Sequence, residues 1–99
     1  MAIVYLNGRF VPDSEAAISP FDRGFLFADA IYEVVRYDRG RPYRLAEHIE
    51  RLREGLDAIR IRATPDFVGP VGERLLAENG LSDRDAFVYV QVSRGAAPR

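Results

Sequence analysis

Phe87 to Val92, FVYVQV, limits most sharply what this chain can become. Five of its six side chains are apolar, and the run is too short for an ordinary helix. Such a segment suits a central strand covered on both faces. The rest of the chain therefore has to supply layers around a sheet. With 99 residues there is room for one domain. Arg94 to Arg99 reads as a loop directly after that strand, an unusual place for a domain to finish, so a longer protein is expected.

The covering layers are legible as patterns. Leu45 to Arg60 is the clearest helix: Leu45, Ile49, Leu52, Leu56 and Ile59 recur at spacings of 4, 3, 4 and 3, making one apolar stripe. Gly55 lowers helix propensity there and allows a close approach. A second helix lies within Asp66 to Asn79 and is closed by Gly80. Thr64-Pro65 suits a start, but Pro70 would then fall inside the helix, so the start is expected near Pro70. Asn7-Gly8, between Ile3–Leu6 and Arg9–Val11, predicts a hairpin, broken at Pro12 to Ser14. Ala16 to Ser19 reads as a short extended piece, and Phe25 to Ala30 as one helical turn. Ile31 to Tyr37 is a strand with Tyr32, Val34 and Arg36 on one face and Glu33 and Val35 on the other. Asp38 to Arg41 is a turn, leading to a returning edge strand at Pro42 to Leu45. The fold class is α+β, a small sheet packed against two helices.

Composition excludes several functions. Charge is balanced at −1 and no basic run marks a nucleic-acid or anionic-membrane surface. No stretch approaches the apolar length of a membrane span. The N-terminus lacks the basic and long apolar parts of a secretory signal, so the expected location is cytoplasmic. Cysteine is absent and histidine occurs once, which argues against thiolate chemistry and a metal site. All 14 basic side chains are arginine, so the chain carries no lysine amine.

Few residues could carry chemistry. Asp22, Asp29 and Glu33 read either as a carboxylate pair for acid–base work or as turn caps and ion pairs with Arg23 or Arg36. Arg51 lies on the flank of the helical stripe, three residues from His48, so both can approach one neighbour. Two readings stay open for it: a snorkelling arginine paired with Glu47 or Glu54, or an anion site whose guanidinium fork matches a phosphate. Tyr32 is a core phenol or a substrate contact. Arg94 is read as structural.

YLNGRFVP, DRGFLFADAIYEVVR, PYRLAEHIERL and VYVQVSRGAAPR, in that order, resemble the N-terminal domain of the class IV pyridoxal-phosphate aminotransferases. The YEVVR and SRGAAPR forms are most similar to the D-amino-acid transaminase branch. Branched-chain aminotransferase and aminodeoxychorismate lyase are the alternatives within the family, and a non-catalytic binding or dimerisation module is the alternative outside it. Ala28 and Ala30 depart from the family pattern, where glycine is common.

The resemblance implies that residues 1–99 are the small N-terminal domain of a fold-type IV enzyme. The Schiff-base lysine would lie in a C-terminal domain outside this chain, so the segment alone should be inactive. It implies pyridoxal 5'-phosphate as cofactor, held through its phosphate by Arg51. Tyr32 and Val34 would line the substrate pocket, and His48 would orient groups near Arg51. Arg99 would grip the substrate carboxylate in the active site of the neighbouring subunit of a homodimer. The substrates would be an amino acid and a 2-oxo acid, with neither nucleic acid nor membrane as partner. No catalytic residue and no metal ligand is expected among these 99 positions.

Overall fold

The computed structural model describes residues 2–99; residue 1 lies outside the described part. Strands β1 (Ile3–Leu6) and β2 (Arg9–Pro12) form the N-terminal hairpin, with Leu6 opposite Arg9. Asn7 and Gly8 take φ of 50° and 85°, the positive pair that a two-residue hairpin turn requires. Ala16 to Ser19 joins no strand.

Helix α1 spans Arg23–Phe27, so it starts two residues before the turn expected at Phe25 to Ala30 and ends three residues short of it, Ala30 already belonging to the next strand. Asp22 caps it, accepting from the Gly24 N–H at 2.8 Å. Ala28 ends it in the left-handed region, at φ 56°. Glycine would sit there without strain, which gives the departure at this position a physical meaning.

Strand β3 (Ala30–Asp38) follows and is the true centre of a three-stranded antiparallel sheet, ordered β4–β3–β5. Strand β4 is only Arg41–Pro42, because Leu45 already belongs to the next helix; the longer edge strand expected at Pro42 to Leu45 does not form. Strand β5 (Ala86–Ser93) lies along β3 from Ala30↔Ser93 to Tyr37↔Ala86. It is an outer strand of this sheet and is covered on one face only, which corrects the expectation from FVYVQV. Val88 is buried while Phe87 and Tyr89 are exposed, so the run alternates despite its apolar composition.

Helix α2 spans Leu45–Ala58. It ends when Arg60 adopts φ 59° and the Ile61 N–H returns to the Leu56 carbonyl at 2.9 Å. Arginine here does the work of glycine, so no stop signal was visible. A Cβ at Gly55 would meet Ile31 at 3.0 Å, so that glycine does bring α2 against β3.

A 3-10 turn at Pro65–Phe67 runs into helix α3 (Val68–Glu78). Both proline signals are thus used. Pro65 opens the turn, and Pro70 is the third residue of α3, where the missing N–H has no intrahelical partner to lose. Gly80, at φ 68°, closes α3 as expected.

The core lies between the inner face of the sheet and the two helices: Val35, Tyr37 and Val88 meet Leu52, Leu56, Val68 and Leu76. The hairpin docks beside it. Tyr5 stacks on Phe67 at 6.2 Å, and Asn79 brackets Ile3 by accepting from its N–H (2.8 Å) and donating to its carbonyl (3.0 Å).

Candidate functional site

Alternation along β3 sorts its residues. Glu33, Val35 and Tyr37 point into the core; Tyr32, Val34 and Arg36 point outward. Glu33 is therefore a carboxylate in an apolar register, with only 6% of its side chain exposed. A buried charge of this kind must find partners, and α2 provides them. His48 Nδ1 lies 2.7 Å from Oε1. Arg51 donates from Nε to Oε2 at 2.8 Å and from Nη2 to Oε1 at 2.8 Å, a forked pair.

His48 and Arg51 do approach one neighbour, as their spacing predicts. That neighbour is Glu33, and Arg51 bonds to neither Glu47 nor Glu54 among the described residues. Sequence reasoning missed Glu33 as the hub. The signal was present: it is the one charged position on the face of β3 that also carries Val35.

The electrostatics follow this geometry. The Arg51 hydrogen bond holds Glu33 below the usual carboxylate range, against the opposing effect of burial and with help from His48. Arg51 is raised in turn, first by its hydrogen bond to Glu33 and then by the attraction of that charge.

Although Glu33 is buried, the Arg51 side chain is 70% exposed. With Nε and Nη2 turned to Glu33, Nη1 has no hydrogen-bond partner among the described residues. Arg51 lines a shallow polar cleft of about 220 Å³ with Arg44, Glu47 and His48. A guanidinium fixed on one side with an open donor edge can meet an anionic phosphate group; the second arginine of the cleft, Arg44, is ion-paired with Glu47 at 3.8 Å. No group of three or more metal-ligating side chains occurs among the described residues.

On the outer face, Tyr32 stacks on Tyr89 at 5.6 Å, and Val34 is paired across the strands with Tyr89. Tyr32, Val34, Phe87 and Tyr89 make an exposed apolar surface. Arg99 lies elsewhere. It sits over the Phe27 ring at 5.7 Å and lines a separate concavity with Phe21 and Ala96 to Pro98. No hydrogen bond or ion pair joins it to Arg51, Tyr32 or Val34 among the described residues.

The remaining acids are caps and ion pairs. Asp22 also accepts from Ser93 Oγ at 3.0 Å. Asp29 pairs with Arg94, which lowers its pKa, rather than with Arg23 or Arg36. Arg94 donates as well to the Ile59 and Arg60 carbonyls at the end of α2, a structural latch.

The family model described as amino-transferase class IV matches residues 30–99, from the start of β3 onward. The chain belongs to the class IV aminotransferases. It is 37% identical over 101 residues to the D-alanine aminotransferase of Staphylococcus epidermidis, covering all of this chain and 35% of that protein. It is 33% identical to the aminodeoxychorismate lyase of Bacillus subtilis, covering 98% of this chain and 34% of that one.

Among solved structures it resembles the branched-chain aminotransferase of the thermophilic archaeon Thermoproteus uzoniensis with norvaline. The TM-score is 0.78 at 23% identity, over 91% of this chain and 32% of that one, a likeness of fold. A second branched-chain amino acid aminotransferase, complexed with N-(5'-phosphopyridoxyl)-L-glutamate, gives a TM-score of 0.83 at 25% identity, over 98% of this chain and 34% of that one. The class IV fold is therefore present, and the chain spans about a third of the length of the relatives it matches. No helix among the described residues is long and apolar enough to cross a membrane.

Proposed function

We propose that these 99 residues are the N-terminal small domain of a pyridoxal-phosphate aminotransferase that moves an amino group between a D-amino acid and a 2-oxo acid. The observation that carries this reading is the Arg51 guanidinium, fixed on Glu33 with its outer edge open, in a chain whose family is established. Arg51 would hold the cofactor phosphate, with His48 bracing the same carboxylate. Tyr32 and Val34 would form one wall of the substrate pocket. When bound, pyridoxal phosphate supplies the electron sink for charge left at the substrate Cα.

The family resemblance implies a lysine as the base at Cα, and all 14 Lys/Arg positions of this chain are arginine. The reading therefore assigns the lysine to a C-terminal domain. Arg99 would meet a substrate carboxylate in the neighbouring subunit of a homodimer. The cytoplasm is the expected compartment.

Assays of the complete protein test this. The expected result is transamination of D-alanine with 2-oxoglutarate, and none by the 99-residue segment alone. Preference for branched-chain L-amino acids, or release of pyruvate from aminodeoxychorismate, would move the assignment to those relatives. A subunit carrying Arg99→Ala mixed with one carrying Arg51→Gln should regain activity through hybrid dimers. Failure to regain any would count against shared active sites.

A further inference from the structure

We propose that Glu33 is the positioning residue of the cofactor anchor: its buried carboxylate fixes the Arg51 guanidinium so that the Nη1 edge is the one offered to the phosphate. The inference rests on the reading of Arg51 given above.

Three nitrogens from one helix converge on Glu33, at 2.7, 2.8 and 2.8 Å. Glu33 has nowhere else to turn, because its register faces the core. Arg51 does have alternatives, with Glu47 and Glu54 within reach on its own helix, yet it takes the strand carboxylate. A long, exposed side chain otherwise samples many rotamers. Holding it by two of its three nitrogens before the ligand arrives removes that ordering cost from binding.

The arrangement carries an opposing effect. A carboxylate on the anchor cancels part of the positive charge that attracts a phosphate. Geometry and charge therefore predict opposite outcomes when Glu33 loses its charge. If positioning dominates, affinity for the phosphorylated cofactor falls; if charge cancellation dominates, affinity rises. Glu33 also ties the anchor to the pocket wall. Tyr32 and Val34 are its neighbours along β3, so one strand sets the spacing between the phosphate end and the substrate end.

The test uses the full-length protein and two probes, pyridoxal phosphate and unphosphorylated pyridoxal, with affinities from absorbance titration and melting temperature followed in parallel. Glu33→Gln, which keeps the length and loses the charge, should weaken pyridoxal phosphate by roughly 10-fold, the scale of one hydrogen bond to a charged group. Pyridoxal binding should not change. Glu33→Asp, shorter by one methylene, gives a second measure and should lose a smaller factor in the same direction.

An unchanged or enhanced preference for the phosphorylated probe in both variants overturns the proposal. Arg51→Gln separates the two levels. If it leaves the preference intact, the anchor reading itself fails and the positioning role goes with it. If it abolishes the preference while both Glu33 variants keep it, the positioning role alone is refuted.

Discussion

The two faces of the β4–β3–β5 sheet carry similar numbers of large side chains and use them oppositely. On the inner face Val35, Tyr37 and Val88 are buried against α2 and α3, and Glu33 is buried among them with its charge met by His48 and Arg51. On the outer face Tyr32, Val34, Phe87 and Tyr89 stay exposed, Phe87 to 71%. The inner face specifies the fold and holds the Glu33–His48–Arg51 cluster. The outer face contributes little to stability and is free to meet a ligand or another layer. One strand, β3, serves both, because successive side chains point to opposite sides.

Substitutions can break or sharpen this contrast. The largest effect is expected at Leu52, fully buried on α2 beneath the sheet. Leu52→Ala should cost about 2–5 kcal/mol in denaturant unfolding. Next comes Gly72, where an added Cβ would overlap the Tyr37 hydroxyl. That hydroxyl is buried without a hydrogen-bond partner among the described residues. Gly72→Ala should cost about 1–3 kcal/mol, and Tyr37→Phe in the same molecule should restore much of it. A double-mutant cycle measures the coupling, and strict additivity would refute the steric account.

The third effect is acid sensitivity. The folded-state pKa of Glu33 is depressed, so its stabilisation is present above the unfolded carboxylate value and is lost as pH falls from about 4.3 toward the folded value. Glu33→Gln should flatten the acid limb of a melting-temperature profile, leaving the share owed to Asp29, whose pKa is depressed by Arg94. The smallest effect on stability belongs to the outer face. Tyr32→Phe and Val34→Thr should change unfolding free energy by less than about 0.5 kcal/mol while altering amino-acid affinity in the complete enzyme. A large loss of stability there would erase the distinction between the faces.

Much of this was legible in the sequence because it depends on local rules. The Asn7-Gly8 turn, the α2 stripe, the Gly80 stop and the alternation of β3 each follow from spacing or backbone chemistry. So does the convergence of His48 and Arg51. What was not legible depends on tertiary placement. FVYVQV was read as doubly covered because its composition is apolar, yet both helices pack on one face. Arg60 and Ala28 end helices in left-handed conformations with no glycine to announce them. That Glu33 shares the face of Val35 was legible in the alternation, but its pairing with His48 and Arg51 needed the register between β3 and α2, which no single segment encodes.

The Asn79 bracket on Ile3 closes a span of 76 positions. Closing so long a span costs chain entropy, and its reward arrives only once α3 has formed. The hairpin can therefore assemble by itself through its turn, but its attachment is a late event in folding. In the native protein this edge is expected to detach by itself, so that the Ile3 amide reports partial opening at a lower free energy than the amides of Val35 and Leu52.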